Sequence, residues 1–468
     1  MTQFFKLRYL LIVALQLGLM IGLRVLLPAE YAGNESSDYQ TFYRPVASAI
    51  LAGEGVRLNG APALRCPPGY PVLLSGVVGL PNVTGLSEGL ALFLFVALCA
   101  AGSAAVLTKL SEGIWGERWG WLAGVVWASY PLQLWVAKQP NSEIPFVFLL
   151  YLSLLVTWKA LTACRIWPGF LGGVLAGFSM LVRPIGIGVG VILPVLALGF
   201  AKGRLRARAL LAACVLAGTF LSIAPWEVWV HRQTGRVIPL STSGPASMVD
   251  GLTFAAKPEQ ANAAYFLVPS AVLPVMEDMR AHRKGLAGTS QVLRAVARLA
   301  KREPLRVVLL LATKAARSWY ATDCGRLEKP VLLVQIPYLL LSILAMLLAW
   351  RAGASFRKAG LAVGALVLYF WMMTVAVLSI ARYMVPAAGL FFVLWPVIPV
   401  VRGNVASTRK PVNAGGSQRH ARLLPHAVRL SLPITANRQP ATRRASAETS
   451  SRHLASPRLS SATIWERP

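Results

Sequence analysis

Apolar stretches of about 20 residues recur along this chain, and each is long enough to cross a hydrocarbon core of about 30 Å. No other feature restricts the fold so strongly. Inside lipid the backbone has no water to bond, so each stretch must close its hydrogen bonds internally, as a helix. The sequence predicts transmembrane helices near 9–27, 88–108, 119–137, 144–162, 168–182, 185–200, 208–226, 330–350, 359–379 and 383–401. Composition agrees. Of the 468 residues, 56% are hydrophobic and 14% are charged, too few charges to cover a soluble domain of this length. The first segment, Tyr9 to Leu27, follows Lys6 and Arg8. Its length, with no small-x-small cleavage site after it, favours a retained helix over a signal peptide.

The formal net charge is +29. A charge of that size suggests nucleic acid, but its placement sets topology instead. With the N-terminus inside, the inside loops hold Lys109 and Arg118, then Lys159 and Arg165, then Lys202, Arg204, Arg206 and Arg208, then Arg351, Arg357 and Lys358. The short outside loops hold Lys138, Arg183 and Arg382, one each. This bias predicts a multi-pass protein of the cell (inner) membrane with a cytoplasmic C-terminus. It puts 28–87 and 227–329 outside as long loops, where function usually resides. Pro304 to Tyr320 is apolar but begins and ends outside. It carries Lys314 and Arg317 on a Leu/Val background and reads as an interfacial helix on the outer leaflet. A short spanning helix there would invert everything after it, and the basic loop 351–358 argues against that.

Residues 403–468 are rich in Ser, Arg, Pro and Ala. They cannot bury a core and are expected to be disordered. The domain reading is a membrane domain over 1–402 and a basic cytoplasmic tail over 403–468. No aromatic residue interleaves with the tail arginines before Trp465, so membrane lipid rather than nucleic acid is the expected partner. Of the five cysteines, Cys99, Cys164 and Cys214 fall in or beside apolar segments, and Cys66 and Cys324 fall in outside loops. The spacing is neither a disulfide framework nor a metal site. Cys66 and Cys324 could pair in an oxidising compartment, but the expectation is two free thiols.

Several outside positions carry candidate chemistry. The first outside loop opens with Glu30, Glu35 and Asp38. A helix should follow from Tyr39 to Leu51, with Phe42, Val46, Ala49 and Ile50 on one face. From spacing alone Asp38 reads as its cap. Next, Arg65-Cys66-Pro67-Pro68-Gly69-Tyr70-Pro71 should form a rigid extended turn, either a loop stiffener or the wall of a ligand site. Glu143 heads a helix, where a carboxylate complements the dipole. Arg183-Pro184 and Arg382-Tyr383 sit at membrane boundaries. Each arginine reads as a snorkelling anchor or as a partner for phosphate.

Taken in order, these stretches resemble the bacterial membrane glycosyltransferases related to protein O-mannosyltransferases and to the lipid A aminoarabinose transferase, of the GT-C class. The nearest pattern is the glycosyltransferase 39-like group, which includes the rhizobial galacturonosyltransferases. Asp38, Phe42, Tyr43 and Ala47 to Gly53 look like the family's first-loop acid and helix. Pro67 to Pro71 looks like its proline motif, and Ser142-Glu143 like the acid at the head of the fourth helix. Ala176-Gly177 through Arg183-Pro184 looks like its Gly-rich element ending in Arg-Pro. Pro225-Trp226 with Gly235 to Gly244 looks like its post-helix loop, and Ala381-Arg382-Tyr383 with Pro386 like its late Arg-Tyr motif. There are departures. Cys66 stands where some relatives carry a phosphate-binding Lys, leaving Arg65 as the nearest cation. Tyr39 follows Asp38 where some relatives have a second acid, so a divalent cation is possible but not supported by the single first-loop acid, and no metal ligands are assigned.

The resemblance implies an all-α GT-C fold with about ten transmembrane helices and periplasmic loop helices. It implies transfer of a sugar from a polyprenyl-phosphate donor to a glycan, lipid or protein acceptor on the periplasmic side. In that role Asp38 is the base and Glu143 the second acid. Arg183, Arg382 and Arg65 bind the donor phosphate, and Tyr43, Pro67, Pro68, Tyr70 and Tyr383 form the wall. The alternatives are a lipid-linked sugar flippase or transporter, and a glycan ligase or polymerase. Transporters place broken helices or charges near the midplane, often in repeated halves. No repeat is visible here, and the candidate polar residues cluster outside.

Overall fold

A computed structural model of the chain describes residues 2–27, 38–254, 266–323, 325 and 327–408. The described residues are almost entirely helical. The only strands among them are Arg57–Leu58 and Ala61–Pro62, an antiparallel hairpin. It turns on Asn59 and Gly60, whose φ of +51° and +78° suit the right-handed twist of a two-residue hairpin. Glu30, Glu35, Cys324 and the tail beyond Thr408, on which the disulfide and tail expectations fall, lie outside the described residues.

The chain opens with α1 (Thr2–Leu26). A π-turn, Tyr39–Tyr43, leads into α2 (Arg44–Leu51), and α3 (Gly69–Thr84) follows. The membrane helices continue with α4 (Glu88–Trp115), α5 (Glu117–Ala128), α6 (Pro131–Ala137), α7 (Glu143–Ala163) and α8 (Ile166–Val182). Then come α9 (Val189–Phe200) and α10 (Leu205–Thr234). The second loop holds α11 (Gly244–Leu252), α12 (Leu273–Ala281), α13 (Thr289–Arg302) and α14 (Pro304–Arg317). The chain returns to the bundle through α15 (Glu328–Arg351), α16 (Ala354–Ala376), α17 (Val385–Phe392) and α18 (Val397–Thr408).

Among the described residues, seven segments are long and apolar enough to cross a membrane, and Ile166–Val182 and Pro184–Phe200 are shorter apolar helices. Together with the divided stretch at 117–137 they account for the apolar segments read from sequence. This is an all-α polytopic membrane protein. Leucines 333, 340 and 347 on α15 and Phe220 and Leu221 on α10 are mostly exposed, as side chains facing lipid should be.

Four boundaries differ from expectation. The stretch near 119–137 is two helices, because Pro131 holds Tyr130 in extended backbone and the residue before a proline avoids the helical region. The segment near 185–200 opens as a 3-10 turn, Pro184–Gly186. Helix α10 runs to Thr234, through Pro225, so Trp226 is helical rather than the start of a loop. The final segment is divided between α17 and α18, and the helix continues past residue 402. The proline motif also differs: Pro68 precedes α3 directly, and Val72 to Leu80 belongs to that helix.

Helices α7, α8 and α10 pack through small residues. A Cβ on Gly173 would enter the Val215 carbonyl, one on Gly172 the Thr157 hydroxyl, and one on Gly218 the Phe170 carbonyl. Close backbone approach of this kind drives helix association in lipid, where the hydrophobic effect between helices is absent. Hydroxyls complete the seam: Thr219 Oγ1 donates to Gly173 O at 3.2 Å, and Ser153 Oγ to Gly172 O at 2.8 Å.

The second loop forms its own apolar core from Val249, Val272, Met276, Met279, Val292, Leu299, Val307 and Leu310. With 14 residues, α14 is too short to span a bilayer. Lys314 and Arg317 lie on its buried face, opposite to what an exposed interfacial helix predicts for them. Lys314 meets the C-terminal end of α16, its Nζ 3.4 Å from Val377 O. Arg317 pairs with Glu328.

Candidate functional site

The candidate residues from distant parts of the chain share one cavity of about 1350 Å³ counted to its mouth. Asp38, Tyr43, Arg65, Cys66, Glu143, Arg183, Arg382 and Tyr383 all line it. They arrive there for local reasons. Pro184 ends α8 and leaves Arg183 in extended backbone, with φ −150° and ψ 118°. Glu143 is the first residue of α7. Arg382 and Tyr383 sit on a 3-10 turn, Ala381–Met384. Ala381 N donates to Ala321 O at 2.8 Å, tying that turn to the second loop.

The floor is an ionic cluster. Glu143 Oε1 lies 2.8 Å from Arg183 Nη1 and 3.6 Å from Arg382 Nε. Arg183 also donates to Ser142 Oγ at 3.2 Å, which lies 3.4 Å from the Tyr43 hydroxyl. Both guanidiniums face the Tyr383 ring, at 4.6 Å for Arg183 and 5.5 Å for Arg382. The side chains are nearly buried, 6% exposed for Glu143, 13% for Arg183 and 19% for Arg382. Glu143 Oε2 and Arg382 Nε are buried without a hydrogen-bond partner. They are two of ten such buried side-chain atoms among the described residues.

Asp38 is on another wall. Its carboxylate accepts from Arg65 Nη2 at 2.8 Å, and no side-chain bond caps the helical turn that follows it. The capping role read from spacing is therefore not what this carboxylate does. The five-residue π-turn after Asp38 has a wider hydrogen-bond step than an α-helix, a form frequent at functional sites. It buries Tyr39, Phe42 and Tyr43. Burial pushes the Tyr43 phenol well above its usual range, and burial also raises the Cys66 thiol. A neutral thiol is a poor nucleophile.

Pro67, Pro68 and Tyr70 stand behind this wall. Tyr70 is fully buried and donates to Pro140 O at 2.7 Å, packing edge-on against Tyr43 at 4.8 Å. Their work is to brace the loop before Glu143 and to start α3. Residues 239–247 form another side, with Ser241, Ser243 and Ser247 among the lining. Trp226 Nε1 donates to Leu240 O at 3.0 Å, and Leu240 N donates to Glu227 Oε1 at 2.8 Å. Thr242 N donates to Leu64 O at 3.0 Å, pinning this loop beside Arg65.

The sequence reading missed Asp323. Its Oδ1 lies 3.1 Å from Arg382 Nη2, so Arg382 is held between Glu143 and Asp323. The available signal was an isolated acid just after Trp319-Tyr320 in the second long loop. No group of three His, Cys, Asp or Glu side chains among the described residues could hold a metal ion. Asp38, Glu143 and Asp323 are each engaged by a guanidinium.

The architecture is the GT-C membrane fold. The archaeal oligosaccharyltransferase AglB from Archaeoglobus fulgidus, solved with an inhibitory peptide and a dolichol-phosphate, matches with a TM-score of 0.53 and 16% identity, over 89% of this chain and 53% of that one. The Archaeoglobus fulgidus oligosaccharyltransferase tethered to an acceptor peptide matches with a TM-score of 0.55 and 14% identity, over 87% of this chain and 51% of that one. The chain thus spans about half the length of the structures it matches, and the likeness is one of fold. ArnT from Cupriavidus metallidurans, bound to undecaprenyl phosphate, aligns at a TM-score of 0.40 and 14% identity over 87% of this chain and 79% of that one. No family model and no curated protein matches the sequence.

Proposed function

We propose that this protein is a membrane glycosyltransferase that moves a sugar from a polyprenyl-phosphate donor to an acceptor on the outer side of the membrane. One observation carries the reading. Arg183 and Arg382, from two separate segments, converge on one carboxylate at the floor of a cavity whose other wall presents Asp38. In the Archaeoglobus fulgidus structure of the same fold, the bound lipid is a dolichol-phosphate.

In this mechanism the acceptor hydroxyl or amine attacks the anomeric carbon as the bond from that carbon to the phosphate oxygen breaks. The electron pair leaves with polyprenyl phosphate, whose head gains negative charge. Fixed cations in a site of low dielectric stabilise that charge more than water would, and Arg183 and Arg382 supply them. Asp38 accepts the acceptor's proton, and in-line attack inverts the anomeric configuration. Glu143 holds the two guanidiniums apart at a fixed separation, so it is a positioning residue rather than a second base. Arg65 sets the Asp38 carboxylate and binds phosphate only secondarily.

The test is direct. Envelope glycans, lipids and glycoproteins are compared by mass spectrometry with and without the protein. Loss of one glycosyl substituent, restored by the wild type and not by Asp38→Asn, is the expected result. Unchanged envelopes, with lipid-linked sugar accumulating on the inner side, would point to a flippase.

A further inference from the structure

Helices α13 and α14 form a hairpin that turns at Glu303. On α13, Val292, Ala295 and Leu299 face the loop core, while Arg294, Arg298, Lys301 and Arg302 are exposed. The ion pairs nearby are Arg283–Asp250 and Arg306–Glu303. None of those four α13 cations joins an ion pair among the described residues. On α14, Val307 and Leu310 pack inward, whereas Leu305 is 83%, Val308 63% and Leu311 40% exposed. A stripe of large apolar side chains beside a row of unpaired cations is costly in water and suits a membrane interface.

The far end of α14 is fixed at the level of the bilayer. Trp371, inside the membrane helix α16, donates from Nε1 to Ala315 O at 2.9 Å. Trp319 packs on Trp371 with ring centroids 6.1 Å apart. Arg317 pairs with Glu328, the first residue of α15. A helix anchored there cannot hold its apolar stripe in water unless it projects away from the surface. Lying flat buries the stripe and brings the α13 cations to headgroup height.

We propose that the α13–α14 hairpin is a binding surface for anionic phospholipid, with Leu305, Val308 and Leu311 among the acyl chains and Arg298, Lys301 and Arg302 on the phosphate headgroups. The lipid also bears on the cavity, because α13 begins at Thr289, a cavity-lining residue. This surface goes beyond the glycosyltransferase reading and does not depend on it.

The full chain is reconstituted into nanodiscs of equimolar phosphatidylcholine and phosphatidylglycerol, extracted gently, and its retained lipids are counted by native mass spectrometry. Both leaflets then carry anionic lipid, so an error in the assigned topology cannot mimic failure. Phosphatidylglycerol should be enriched on the wild type. In the Arg298→Gln/Lys301→Gln/Arg302→Gln protein its affinity should fall about fivefold per neutralised cation. The Arg298→Lys/Arg302→Lys protein should keep the enrichment. Equal retention by the wild type and the neutralised protein overturns the proposal. So does binding of dextran sulfate at this patch without phosphatidylglycerol enrichment, which marks a surface for an acidic glycan instead. Should the neutralised protein not fold, the wild type alone decides. Its melting temperature must be higher in discs containing phosphatidylglycerol than in phosphatidylcholine discs, and equal values overturn the proposal.

Discussion

Two buried arginine–glutamate clusters lie at the same end of this molecule, and they are built to opposite plans. Arg317 and Glu328 form a one-to-one pair, bidentate at 3.1 and 2.7 Å. They are 3% and 1% exposed, with the Phe254 ring 4.6 Å from the guanidinium. The Glu143 cluster sets two guanidiniums on one carboxylate, and it opens on a cavity. Its surplus cation is matched by Asp323, whose side chain is 56% exposed. The first arrangement closes on itself and joins α14 to α15. The second is also balanced once Asp323 is included, but it keeps its guanidiniums open to a space large enough for a ligand. Burial and ion pairing alone do not separate structure from function; access does.

The largest effect belongs to the cavity. Asp38→Asn should lower sugar transfer by about 10²- to 10⁴-fold. Because its carboxylate makes no capping bond, the melting temperature should hardly move. Transfer near the wild-type rate in purified protein would leave Asp38 a partner of Arg65 and nothing more. The sealed pair should behave in the reverse way. Arg317→Ala leaves Glu328 buried and uncompensated, a loss of about 3–5 kcal/mol of stability, read as reduced yield and an early thermal transition. The Arg317→Met/Glu328→Leu protein should recover most of that loss, and failure to recover would mean that the pair carries a further role.

A smaller effect tests the two cavity arginines. Arg183→Lys and Arg382→Lys keep the charge but lose the planar fork. Each should weaken binding of polyprenyl phosphate about ten- to a hundredfold, the range for a hydrogen bond to a charged group, with folding intact. Unchanged binding would return that arginine to the role of a boundary anchor.

The smallest prediction concerns a third buried cation. Lys314 has no ion-pair partner among the described residues, and burial lowers its pKa to about 7. The folded protein therefore binds this proton more weakly than the unfolded chain does, so the penalty for burying the group is largest at low pH. It fades as pH rises from about 7 toward the ordinary lysine value of about 10.4. Lys314→Met should stabilise the protein at pH 6 and have little effect near pH 10, as thermal unfolding across that range would show. A gain independent of pH would assign the effect to packing.

Much of this plan was legible in the sequence, for a physical reason. Lipid forces apolar segments into helices, and proline and charge mark their ends. Hence Asp38, Glu143, Arg183 and Arg382 could each be placed at a segment boundary, and the folded chain gathers them into one cavity. Hydropathy could not register the break at Tyr130, because a proline interrupts backbone bonding without changing polarity. It ended α10 early for the opposite reason: Glu227, His231 and Arg232 look like a loop although the helix continues through them. Asp323 and the buried Lys314 were hidden because their partners come from residues 50 or more positions away. Asp38 was misread as a cap because its partner, Arg65, lies 27 residues on.

The glycine seam between α8 and its neighbours has a bearing on reach. Arg183 has a side chain of fixed length, and its guanidinium can meet Glu143 only if α8 stands at one depth and one rotation against α7. Gly172 sets that depth, since a single methyl there would enter Thr157 of α7, and Gly173 holds α8 from its other side, since a methyl there would enter the Val215 carbonyl of α10. A mutation there, remote from the cavity and without any charge, would act as a change in the length of the arginine. Selection for catalysis would then read, at these glycines, as selection for the absence of one carbon atom.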